Sequence, residues 1–99
     1  MHYVICYDLE SDRNREKVVK MLHRHGCERV QKSVFVANDM SRREVGVLRG
    51  QLARLLSRMG SDDSVLILPL PDAEVKGIVV LGNNNIVTKL APLPVKITL

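Results

Sequence analysis

Residues 2–9 carry an unbroken apolar run, Tyr3-Val4-Ile5-Cys6-Tyr7, which stops at Asp8. Continuous rather than alternating apolar residues predict a strand covered on both faces, and therefore central in its sheet. From 12 to 25 the period lengthens. Val18, Val19 and Leu22, flanked by Met21, form one stripe, while Arg13, Lys17, Lys20 and Arg24 follow each other at steps of 4, 3 and 4 along another. This is an amphipathic helix. Ser11 or Asp12 can cap its start, and Gly26 stands where a left-handed C-terminal cap is wanted. Residues 28–36, ERVQKSVFV, are β-prone with no turn residue inside, so they fit one bent strand or two short ones.

Ser41-Arg42-Arg43-Glu44 is a capping box. It opens the clearest helix of the chain, with Val45, Leu48, Leu52, Leu55 and Met59 at steps of 3, 4, 3 and 4, ended by Gly60 and Ser61. Residues 64–68 predict a strand closed by Pro69 and Pro71. Ile78–Leu81 and Ile86–Leu90, separated by Gly82-Asn83-Asn84-Asn85, read as a hairpin. Residues 95–99 alternate like a half-buried strand without an obvious mate. They would pair either with another chain or with the domain's own sheet edge.

If 28–36 holds two strands, the order is β-α-β-β-α-β, the ferredoxin-like arrangement of the α+β class with extra C-terminal strands. Both helices then cover one face of the sheet. The other face keeps apolar residues of the first strand exposed, and a homodimer packed sheet to sheet would bury them. This divides the chain into a domain over 1–82 and a C-terminal β extension, 83–99, for dimer or partner contacts.

Length and composition sharpen this outline. A chain of 99 residues is one domain with a shallow core. At 45% hydrophobic and 3% aromatic residues, that core must be mainly aliphatic. The net charge of +4 is unevenly placed: residues 1–58 hold 12 Lys and Arg against 7 Asp and Glu, and 59–99 hold 3 against 4. A basic first half fits either an anionic partner, nucleic acid first, or an ordinary solvated surface. Cys6 and Cys27 make no CxxC pair, and His2, His23 and His25 have no cysteine partners at zinc spacing. No apolar run reaches membrane-spanning length and no targeting segment is visible, so a cytoplasmic location without membrane contact is expected.

Several of these residues fall into one pattern. Tyr7-Asp8 closes the first strand. The helix start carries Arg13, Arg15, Lys17 and Val18, and Gly26 follows. Then come Glu28-Arg29-Val30-Gln31, Ser33-Val34-Phe35, Asp63-Ser64-Val65, Pro69-Leu70 and Ile78–Gly82. Over residues 3–82 the chain resembles the small CRISPR-associated endonuclease or endoribonuclease family, the second of the two universal spacer-acquisition proteins. The resemblance implies a ferredoxin-like homodimer that is a metal-dependent nuclease on RNA or DNA. It also implies a central scaffold for spacer capture, with the integration chemistry in a partner protein. By position it makes Asp8 the catalytic, metal-binding aspartate and Tyr7 its neighbour. Arg15, Lys17, Arg29 and Phe35 fall on the active-site surface, and Arg13 joins them as a nucleic-acid contact. The chain departs from the family at Val36, often Glu there, and at Leu66 and Leu68, often polar or aromatic. The second departure implies a more apolar sheet face.

One carboxylate is a poor Mg²⁺ or Mn²⁺ site, because Mg²⁺ is usually held by one or two carboxylates with waters or substrate phosphates. A two-fold dimer that brings both copies of Asp8 together would supply two. Alternatively Asp8 ends the strand and accepts hydrogen bonds from the loop or the next helix. Arg15 and Arg29 would bind phosphate, or form salt bridges to Asp8, Asp12 or Glu28. Phe35 and Tyr7 have the core as their other reading. A duplex-DNA scaffold, a metal-dependent phosphodiesterase, a toxin-like ribonuclease of related fold and a small-molecule regulatory domain are the competing functions.

Overall fold

The computed structural model describes residues 1–82 and 96–98. Its elements are β1 (His2–Asp8), α1 (Asp12–Arg24), β2 (Glu28–Gln31), β3 (Val34–Ala37), α2 (Arg42–Leu56), β4 (Ser64–Leu70), α3 (Asp72–Val75), β5 (Val79–Leu81) and β6 (Lys96–Thr98). The first six give β-α-β-β-α-β. Their strands form one antiparallel sheet in the order β2-β3-β1-β4, so β1 is central as its unbroken apolar run predicts. This α+β architecture is consistent with the ferredoxin-like arrangement.

Local chemistry sets the helix ends. The Ser11 hydroxyl accepts from the Asn14 N–H at 3.0 Å, and the Ser41 hydroxyl from the Glu44 N–H at 3.1 Å. Each satisfies one of the orphan donors of a first helical turn. Gly26, at φ +78°, turns the chain out of α1 in a conformation that L side chains rarely adopt.

Alternation along β1 divides the molecule. Tyr3, Ile5 and Tyr7 point to the helix side. There they pack with Phe35 and Ala37 of β3, Val18 and Leu22 of α1, and Leu48 and Leu52 of α2. Val4 and Cys6 point the other way, beside Val34 and Val36 on β3 and Leu66 and Leu68 on β4. On that open face a second cluster forms, because α3 and β5 fold beneath the sheet. Val75 and Val80 pack there against Val30 and Val36. The cover is incomplete: Leu66 is 56% exposed and Leu68 43%.

The structure departs from the sequence reading in two places, the end of β4 and the helix α3, and decides two points that reading left open. The stretch 28–36 is two strands, split at Lys32-Ser33, with a register shift between Arg29 and Gln31. That shift is a β-bulge, which seats Val30 in the open-face cluster. β4 does not stop at Pro69 but runs on to Leu70, with Pro69 opposite Tyr3. In this sheet β4 is an edge strand, where the missing proline N–H breaks no ladder bond. The turn of helix α3 was not expected. Finally, β6 has a mate within the chain: it pairs in parallel with β5, Val80 opposite Ile97. The second arm of the expected hairpin, 86–90, lies outside the described residues.

Candidate functional site

β1 delivers Asp8 to the end of the sheet, opposite Ser64 on β4 and on the same side as Cys6. The residue is exposed. The loop that follows does not need its carboxylate. The Glu10 N–H donates instead to Asp63 Oδ1 at 3.0 Å, and the other Asp63 oxygen accepts from the Gly60 N–H at 3.2 Å. Asp63 therefore ties the α2–β4 turn to the β1–α1 loop, and among the described residues Asp8 enters no salt bridge.

Arg15 staples the same loop. Its Nη1 donates to the Leu9 carbonyl at 2.7 Å and to the Glu10 carbonyl at 3.2 Å, and its Nη2 pairs with Asp12. Arg13 and Lys17 point to solvent.

On the helix side of the strand end, Tyr7 organises a small network. Its hydroxyl donates to the Lys32 carbonyl at 3.0 Å and accepts from Arg29 Nη2 at 3.2 Å, while its backbone N–H donates to the Ser33 carbonyl at 3.1 Å. The β2–β3 turn is thus fixed beside the strand end. Arg29 also lies over the Phe35 ring, 5.3 Å from the centroid, and His23 meets that ring edge-on at 5.4 Å. Phe35 is completely buried, so in this structure it is a core residue whose ring orients Arg29 and His23.

The structure brings Tyr7, Arg29 and Phe35 together and holds Arg15 on the loop after Asp8. It leaves Asp8 as an isolated, exposed carboxylate. Among the described residues no group of three or more His, Cys, Asp and Glu side chains is placed to hold a metal ion. The described residues of one chain therefore do not complete a metal site. Asp8 fits as one ligand of a site finished by other oxygens.

Sequence reasoning missed His2. It is buried, its Nδ1 accepts from the Asp39 N–H at 3.1 Å, and its Nε2 faces Asp72 at 3.0 Å. Accepting at Nδ1 places the ring proton of the neutral form on Nε2. The ring thereby ties α3 to the start of β1. No local pattern marks this role; only the pairing across 70 residues of sequence reveals it.

The geometry defines a two-layer α+β domain with an exposed carboxylate at the end of its central strand. The family it falls in is definite: residues 1–78 match the model described as CRISPR associated protein Cas2, and the chain belongs to that family. A relative from Pyrobaculum aerophilum, named CRISPR-associated endoribonuclease Cas2 2, is 32% identical over 84 residues, 74% of this chain and 92% of the relative. Another, from Methanospirillum hungatei, is named CRISPR-associated endoribonuclease Cas2 1. It is 46% identical over 37 residues, which span 37% of this chain and 39% of that relative. Among the described residues no helix is long and apolar enough to cross a membrane.

Proposed function

We propose that this CRISPR-associated protein is a homodimeric scaffold that binds duplex DNA and docks an integrase partner during spacer acquisition. The two Asp8 carboxylates of the dimer bind Mg²⁺ and give it metal-dependent endonuclease activity on RNA or DNA. The observation that carries this reading is the freedom of Asp8. A strand-ending aspartate usually satisfies the next loop, and here Asp63 accepts that loop's N–H instead.

The open sheet face supports the dimer. Leu66, Leu68, Val79 and Leu81 are between 43% and 70% exposed, which costs a lone chain apolar hydration. Bound between carboxylates, Mg²⁺ would polarise a phosphate and lower the pKa of a bound water. The chain's own residues do the rest. Arg13, Lys17 and Arg29 engage phosphates, Arg15 holds the loop after Asp8, and Tyr7 with Phe35 fixes where Arg29 sits. Residues 83–99 act as an extension from the 1–82 domain for dimer or partner contacts. The names of the two relatives support ribonuclease activity, and the single carboxylate per chain favours the scaffold role over rapid turnover.

The test is a paired cleavage and binding assay on wild type and Asp8→Asn. Both are confirmed as dimers by solution mass and given labelled RNA or duplex DNA with Mg²⁺ or chelator. Metal-dependent cutting by wild type, with binding but no cutting by the variant, is the expected result. Cutting that persists in Asp8→Asn removes Asp8 from the chemistry. Deleting 86–99 should abolish assembly with the integrase partner, and unchanged assembly would sink the docking role.

A further inference from the structure

The helix layer carries charge beyond Arg13 and Lys17, which the proposed function already assigns to phosphate contact. On α1, Arg13, Lys17, Lys20 and Arg24 lie along the outward face, opposite buried Val18 and Leu22, and all four are exposed. On α2, Arg43 and Arg54 sit three turns apart on one exposed face, and Arg58, just past the C-cap Ser57, lines the same depression as Arg54. Arg42 and Arg49 lie on the other flank, lining a cleft with Ile67 and Pro69 of β4. The helices' acids are few. Asp12 is engaged by Arg15, which leaves Glu16 and Glu44. Among the described residues none of these nine cations forms a salt bridge.

The two helices meet through a trough. His25 Nε2 and Gln51 Oε1 are 2.7 Å apart. Beside them, Met21, Gln51 and Leu55 line a depression of about 280 Å³ walled by Arg54 and Arg58. A row from Arg43 to Arg54, or from Arg13 to Arg24, extends about 16 Å at 1.5 Å per helical residue. A nucleic-acid strand advances 3.4 Å per phosphate along a duplex axis, so each row spans about five phosphates. Packed helices run 8–10 Å apart, which sets two such rows side by side. Every cation on α2 is arginine, whose planar fork matches phosphate oxygens in pairs. The layer lies on the side of the sheet opposite the open apolar face, so a second copy covering that face leaves it accessible.

We infer that the α2 side of the helix layer, with Lys20 and Arg24 of α1, is a second nucleic-acid surface beside the one that Arg13 and Lys17 serve, in which Arg43, Arg54 and Arg58 engage the phosphates of a duplex. The inference rests on the proposed function for its ligand class and adds a surface to it.

The experiment measures binding of a fluorescently labelled DNA duplex by anisotropy across a salt series. It compares the full-length wild type, the triple variant Arg43→Gln/Arg54→Gln/Arg58→Gln and the pair Arg13→Gln/Lys17→Gln, with helix content checked by circular dichroism. The three single variants are carried alongside in case the triple folds poorly. Losing three phosphate contacts should reduce the slope of log K against log salt by about 2.7, at about 0.9 per contact, with weaker binding at every salt. Each single variant should reduce it by about 0.9. A triple variant with wild-type slope and affinity, beside a weakened Arg13/Lys17 pair, overturns the inference and leaves the proposed function standing. A wild type that binds no duplex even at low salt overturns both. A triple variant that keeps duplex binding but no longer binds polyglutamate would reassign the surface to an acidic protein and overturn the nucleic-acid reading.

Discussion

The two faces of the sheet come from the same strands and end in opposite states. On the helix side, Ile5, Phe35, Val18, Leu22 and Leu48 are completely buried by their own chain. On the open side, only the half beneath α3 and β5 is closed, around Val75 and Val80, and the half bearing Leu66 and Leu68 is not. The difference separates the face that holds the chain together from the face that the proposed dimer would bury. The helix face completes a fold, and the open face is completed only in part by α3 and β5, themselves short elements.

Variants on the two faces should therefore behave differently. The largest effect is expected from Phe35→Ala, at the centre of the closed face. It should cost about 3–5 kcal/mol in denaturant unfolding, enough to unfold much of a chain this small. Val75→Ala tests the chain's own cover of the open face. It should cost about 2 kcal/mol, because it removes one buried branched side chain that anchors a single turn of helix.

A smaller effect comes from pH. Burial pushes the Cys27 thiol up from 9.0 to about 11. Between those values the unfolded chain loses a proton that the folded chain keeps, so stability falls as pH rises through this window and is full below it. Unfolding midpoints taken across that range should decline, and Cys27→Ala should flatten the decline. The smallest change in folding stability is expected from Leu66→Ser with Leu68→Ser. Unfolding of the dilute chain should move within about 0.5 kcal/mol, while self-association read by solution mass disappears. A large loss of stability in that variant would erase the distinction between the two faces.

Much of the closed face was legible along the chain. The unbroken run of β1, the serine caps of α1 and α2, and the heptad-like spacing of Leu48, Leu52 and Leu55 are local signals, and each set a real element. The open face was less legible because its structure depends on distant partners. Nothing near Lys32-Ser33 marks a turn; Tyr7 fixes it from another strand. Pro69 reads as a strand breaker until β4 is known to be an edge. α3 forms where Val75 finds a pocket and Asp72 finds His2, and the β5–β6 pairing joins segments 17 residues apart. The candidate site divides in the same way. Asp8 was visible as a carboxylate closing an apolar run, but its freedom depends on Asp63, which takes the Glu10 N–H from 53 positions further along the chain.

The placement of the two thiols gives the molecule a built-in reporter. Cys27 is 3% exposed and held protonated well past neutrality, so alkylating reagents should pass it by. Cys6 is half-buried on the open face, between Val34 and Leu66 in register. A maleimide dye added to the unaltered chain should mark Cys6 alone, and whatever seats itself on that face should slow the labelling.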